Sequence, residues 1–122
     1  MNTDGNLIDR YHRAQLFFDA RDYGEAARIT RGLVDAEPGR LDLRLLLARA
    51  LYHSAQLNRA EEELRLIVDR YPDESYARLM LGRTLERLGR QAEAAPHLRL
   101  AAALSGEPVD APRRLASDSG ES

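Results

Sequence analysis

A period of 34 residues runs through most of this chain. Ala14, Ala48 and Gly82 fall 34 positions apart, as do Ala26, Ala60 and Ala94, and as do Pro38 and Pro72. Apolar positions keep the same register: Phe17, Leu51 and Leu85, then Leu33, Ile67 and Ala101. A fixed period of this length signals stacked repeats, in which each unit buries its apolar face only against its neighbours.

Within each copy the apolar spacing is helical, and turn signals split it into two segments. The expected helices run over 7–20 and 23–36, then 41–55 and 59–70, then 75–88 and 91–104. Asp22 with Glu25, and Asn58 with Glu61, read as capping boxes that satisfy orphan backbone N–H groups at a helix start. Gly89 stands where a left-handed residue ends the fifth helix, while Pro38 and Pro72 stop the second helix of their repeats. Pro96 falls about one turn into the last helix, where proline does less damage. The small residues Ala14, Ala48, Gly82, Ala26, Ala60 and Ala94 let the two helices of a repeat approach closely.

The chain has 122 residues, 43% of them hydrophobic and 31% charged, the balance of one ordinary globular domain. A net charge of -2 provides no global field toward nucleic acid or anionic lipid. Cysteine is absent, which removes disulfides, thiolate metal sites and cysteine nucleophiles. All 18 basic residues are arginine. Bidentate recognition of carboxylate or phosphate favours arginine, but so does codon bias in a GC-rich genome, which the abundant Ala, Gly and Asp support. Lysine chemistry, Schiff base or Walker type, is excluded. The start lacks a signal-peptide pattern, and no apolar run is long enough to span a membrane. The expectation is a cytoplasmic protein without membrane or nucleic-acid partners.

The stretches Ala14–Phe17–Tyr23–Ala26–Pro38, Ala48–Leu51–Leu57–Ala60–Pro72 and Gly82–Leu85–Ala94 resemble the tetratricopeptide repeat family, bacterial type. The resemblance implies an all-α fold of three helix-turn-helix repeats stacked as a short right-handed solenoid. Expected boundaries are a disordered start over 1–6, repeats over 7–40, 41–74 and 75–105, and a disordered tail over 106–122. Thr30 stands where the family has a larger apolar side chain, and Gly106 where Pro38 and Pro72 lead one to expect proline. The polar helix that usually closes such an array is missing from the Ser-, Pro- and Asp-rich tail.

The resemblance further implies a non-catalytic interaction module whose first helices line a concave groove. Its spacing assigns to that groove Ile8, Tyr11, Gln15, Phe18 and Asp19, then Leu45, Arg49, Tyr52 and His53, then Tyr76, Leu79, Arg83, Glu86 and Arg87. Aromatics and arginines are the residue types enriched at binding hot spots. The partner expected there is a peptide segment of another protein, with carboxylates to answer Arg49, Arg83 and Arg87. The family's carboxylate clamp for chaperone tails has no counterpart, since its positions hold Tyr11, Gln15, Leu46, Tyr76 and Met80.

An alternative is docking or weak homo-oligomerisation through the uncapped last repeat. There the outward positions Ala92, Pro96, Arg99 and Ala103 replace the largely polar set Asn58, Glu62, Arg65 and Asp69. Catalysis, cofactors and metals find no support: His12, His53 and His97 occupy different phases of different helices, and Ser54 and Ser75 lack triad partners. The run Glu61–Glu62–Glu63 reads as a capping residue and a solvated face, with Glu61 and Arg65 at i,i+4 spacing.

Overall fold

The structure is a computed structural model and describes residues 3–106. Six helices follow one another: α1 Thr3–Asp19, α2 Tyr23–Ala36, α3 Leu41–His53, α4 Leu57–Arg70, α5 Ser75–Arg87 and α6 Gln91–Ser105. Each packs against the next in the chain, so the molecule is an all-α row of three helical hairpins. The start expected to be disordered over 1–6 is helical from Thr3 onward. No proline interrupts it, and Leu7 and Tyr11 anchor the following turns on the core. Gly106, expected in the tail, is the left-handed cap of α6 at φ 82°. Residues 1–2 and the rest of the tail, 107–122, lie outside the described residues.

The six small residues sit at the tightest crossings, all buried. At Gly82 a Cβ would stand 2.5 Å from Leu98 Cδ2, so the Leu98 side chain occupies the space left by the missing side chain and would have to move for an alanine. Larger side chains fill the space around these contacts, with Leu33, Leu47, Leu64, Ile67, Leu81 and Leu85 almost wholly withdrawn from water. Thr30 is buried because its hydroxyl donates to the Ala26 carbonyl at 2.6 Å, which satisfies the polar atom within its own helix.

The turn inside each hairpin repeats as faithfully as the core. Arg21, Ala55 and Gly89 all adopt positive φ, at 66°, 62° and 80°. Around them Asp22, Gln56 and Arg90 N–H donate to the carbonyls of Phe17, Leu51 and Leu85. Arg21, Ala55 and Gly89 N–H donate to Phe18, Tyr52 and Glu86. This is the Schellman pattern, which closes a helix by satisfying its last carbonyls. Gly89 fulfils its expected role, while Arg21 and Ala55 hold the same conformation at a steric cost.

Of the two expected capping boxes, half of the first is present and none of the second. Asp22 accepts from Glu25 N–H at 3.3 Å, but the Glu25 carboxylate pairs with Arg28 rather than returning to the backbone. Asn58 is not a cap, because the Schellman turn at Ala55 makes Gln56 the N-cap and puts Asn58 inside the first turn of α4. The run Glu61–Glu63 is also corrected. Glu62 is solvated, and Glu61 takes Arg65 at 2.9 Å and Arg90 at 2.7 Å. Glu63 is buried, bridging Arg44 at 2.7 Å and Arg31 at 3.0 Å. It therefore joins α2, α3 and α4.

Candidate functional site

The first helices of the hairpins, α1, α3 and α5, carry a chain of aromatic and cationic contacts. Phe18 in α1 receives the Arg49 guanidinium over its ring at 4.5 Å and meets Tyr23 edge-on at 5.1 Å. His53 in α3 stacks on Tyr23 at 4.8 Å and approaches Phe18 edge-on at 5.8 Å. Beside it, Tyr52 lies under the Arg87 guanidinium of α5 at 4.7 Å, and its carbonyl accepts from that group at 3.1 Å. Cation–π contacts of this kind hold an arginine in place while leaving its outer N–H groups for another acceptor.

Of the expected groove set, Phe18, Arg49, Tyr52, His53 and Arg87 are brought together. Tyr23, at the start of α2, joins them. Sequence reading used Tyr23 only as a repeat marker, although its place directly after the α1–α2 turn puts it beside the end of α1. The remaining positions lie along the same helices. Gln15 donates to the Tyr11 hydroxyl at 3.0 Å, and Arg83 pairs with Glu86 at 3.0 Å. Tyr76 and Leu79 are exposed at 39% and 37%, and Ile8 more so at 60%. Leu45 is half-buried on the core, while Asp19 is exposed. Leu46 and Met80 are buried, so these clamp positions present nothing to a ligand.

The electrostatics of this face are cationic. Burial lowers the His53 pKa from its ordinary value, and the neighbouring Arg49 and Arg87 charges lower it further. Both effects favour the neutral form of His53. The Arg49 Nε is buried without a hydrogen-bond partner among the described residues. Near the other end of α1, Leu7, Ile8, Tyr11, Leu33, Glu37, Arg40 and Leu43 line a cleft of about 260 Å³. A second cleft of about 400 Å³ lies between the Pro38–Gly39 turn and the end of α4.

The three histidines stay apart: His12 neighbours Tyr11, and His97 meets Arg78 at 3.3 Å. Among the described residues no His, Asp and Glu side chains gather in threes as they would around a metal. No described helix is long and apolar enough to cross a membrane.

The tetratricopeptide repeat family matches residues 17–83, more than half of the chain. The chain belongs to this family. Its fold is similar to that of solved structures of MamA from AMB-1, at 21% identity and a TM-score of 0.76 over 81% of this chain and 58% of that one. MamA from Desulfovibrio magneticus RS-1 is 23% identical, with a TM-score of 0.75 over 82% of this chain and 56% of that one. PcrH, solved in complex with the chaperone binding region of PopB, is 16% identical, with a TM-score of 0.77 over 88% of this chain and 87% of that one. The chain thus spans less than two thirds of either of these two MamA structures. No curated protein matches the sequence.

In the last tetratricopeptide repeat, Ala92, Pro96, Arg99 and Ala103 are all exposed. Their counterparts one repeat earlier, Asn58, Glu62 and Asp69, are exposed too, although a repeat follows them. Exposure of this stripe therefore belongs to the outer side of every repeat and does not mark the place of a missing neighbour.

Proposed function

We propose that this tetratricopeptide repeat protein is a non-catalytic interaction module that binds a segment of another protein along α1, α3 and α5. The observation that carries the reading is the row Phe18, Arg49, His53, Tyr52 and Arg87. It runs across three helices and combines rigid aromatic surface with guanidinium groups. Aromatic and arginine side chains anchor interfaces because they offer large contact area and directed hydrogen bonds at small entropic cost. PcrH, of the same fold, is seen with a segment of PopB, which agrees with a protein partner for this chain.

The segment carries carboxylates. Arg83 already has Glu86, whereas Arg49 and Arg87 rest on aromatic faces and can direct N–H groups outward. A carboxylate between them would meet charge-assisted hydrogen bonds in a partly desolvated setting. Panning a displayed library of random peptides against the chain tests this. Acidic, aromatic-containing binders are expected, lost on combining Arg49→Ala with Arg87→Ala while melting stays nearly unchanged. Unaltered affinity in that double variant removes the arginines as anchor.

A further inference from the structure

The cleft near the start of α1 has a counterpart one repeat later that shows what it can hold. Its floor is made by Leu33 and Leu43, both buried, and its walls by Leu7 and Tyr11, which pack on the core. Ile8, Glu37 and Arg40 stand exposed at its mouth. In the 34-residue register Tyr71 takes the place of Glu37. The two residues end α2 and α4 in the same backbone conformation, φ -133° and ψ 69° against φ -127° and ψ 76°. Their N–H groups donate to the carbonyls of Leu33 and Ile67, and their carbonyls accept from Arg40 and Glu74. Only the side chain differs: Tyr71 is half-buried and packs on the core, whereas Glu37 is exposed. An aromatic ring thus packs in the second repeat at the place that Glu37 leaves open in the first. The volume of about 260 Å³ is ample, since an apolar cavity of roughly 150 Å³ admits benzene.

The cleft also shares a surface with the aromatic and cationic row. Ile8 and Tyr11 stand with Gln15 and Phe18 at i, i+3, i+7 and i+10, on one face of α1. Tyr11 and Phe18 lie seven residues apart in α1, and Leu43 and Arg49 six apart in α3. Along both helices the cleft is therefore about 10 Å from the Phe18–Arg49 contact. Resting on the protein-binding reading above, we propose that the bound segment seats an aromatic side chain in this cleft while its carboxylate meets Arg49 and Arg87. Leu33, Leu43 and Tyr11 give the ring apolar contact, and a tyrosine hydroxyl at the mouth donates to the Glu37 carboxylate. The two sites together select a segment by the distance between its aromatic and acidic groups.

Other occupants fit less well. Residues 1–2 and 107–122 contain no aromatic side chain. Among the described residues the exposed aromatic is Tyr76, which belongs to the same groove register as the cleft's Ile8. Two copies joined through this face would bring the Arg49 and Arg87 groups of both into one interface.

The probe is p-cresol, the tyrosine side chain alone, titrated into the 15N-labelled full chain. Saturable shifts are expected at Leu7, Tyr11, Leu33 and Leu43, with Kd on the order of 10 mM. Glu37→Tyr, which fills the cleft as Tyr71 does one repeat later, should abolish this binding and leave Tm equal or higher. A peptide recovered by panning on the parent chain should lose at least ~10-fold affinity in Glu37→Tyr, and as much when its aromatic residue becomes alanine. Ile8→Ser, at an exposed position, should weaken both ligands ~3-fold or more and serves if Glu37→Tyr fails to fold. The proposal is overturned by cresol shifts that do not saturate or that centre on Phe18, Tyr23 and His53. Peptide affinity indifferent to the cleft variants overturns it too, and if Arg49→Ala with Arg87→Ala still removes binding, the protein-binding reading stands without it. Panning that returns no binder overturns both. Met1 contacts with Leu33 and Leu43 in the free chain assign the cleft to the chain's own start, and a dimer abolished by Glu37→Tyr assigns it to a second copy; either result also overturns the proposal.

Discussion

Glu63 shows how a single side chain can tie three helices together. Its side chain is 4% exposed and accepts from Arg44 and Arg31, so its desolvation is offset by two charge-assisted hydrogen bonds. Glu63→Ala should cost about 1–3 kcal/mol in a urea unfolding experiment, because both arginines lose their acceptor at once. In the third repeat His97 takes the corresponding place, and Arg78 approaches an imidazole instead of a carboxylate. Burial lowers the His97 pKa, with Arg78 and Arg65 adding to the shift, and burial with Arg49 and Arg87 does the same to His53. Both histidines therefore bind protons more readily in the unfolded chain, so stability falls as pH drops below their ordinary value of 6.5. The loss is complete once pH lies below the depressed folded values. Melting followed from pH 7.5 to pH 5 should show this decline, made smaller in His97→Gln; a flat profile would contradict the assigned surroundings. These roles are not legible beforehand, since a glutamate inside a Glu-rich run looks like surface and only the stacking of neighbouring hairpins brings Arg31, Arg44 and Glu63 together.

At the scale of the helix, the repeat pattern was legible wherever small residues meet. Ala14, Ala26, Ala48 and Ala60 are each fully buried at the expected crossings. Ala60→Leu should overpack the α3–α4 contact and cost about 1–3 kcal/mol, read as a lowered Tm. A variant melting at or above the parent temperature would contradict that packing. Helix ends were less legible. Gly89 announced its left-handed turn, but Arg21 and Ala55 adopt the same conformation without the residue type that signals it. Their conformation is imposed by the packing of the hairpins on either side, which local propensity does not record. Ala55→Gly relieves the strain and should stabilise the chain by about 0.5–1 kcal/mol despite the added freedom of glycine when unfolded. Asn58 fails as a cap for the same reason: the turn at Ala55 fixes the start of α4 two residues earlier than its side chain requires.

The whole molecule is a row of hairpins in which one register serves two purposes. It sets the core, and it places Phe18, Arg49, Tyr52, His53 and Arg87 on helices that share one side of the row. The 34-residue period reached the first of these, and the resemblance to the repeat family implied most of the second. Tyr23 was missed because its partner His53 belongs to the next repeat, 30 positions away in sequence. The outer stripe of α6 is unusual in composition, yet Ala92, Pro96 and Ala103 are exposed just as Asn58, Glu62 and Asp69 are one repeat earlier. The most direct test of the binding face is an amide chemical-shift map of the labelled chain with an acidic peptide recovered by panning. The account predicts the largest changes at Phe18, Tyr23, Arg49, Tyr52, His53 and Arg87. Changes confined to the outer side of α2 and α4, around Arg28, Glu62 and Leu66, would contradict it.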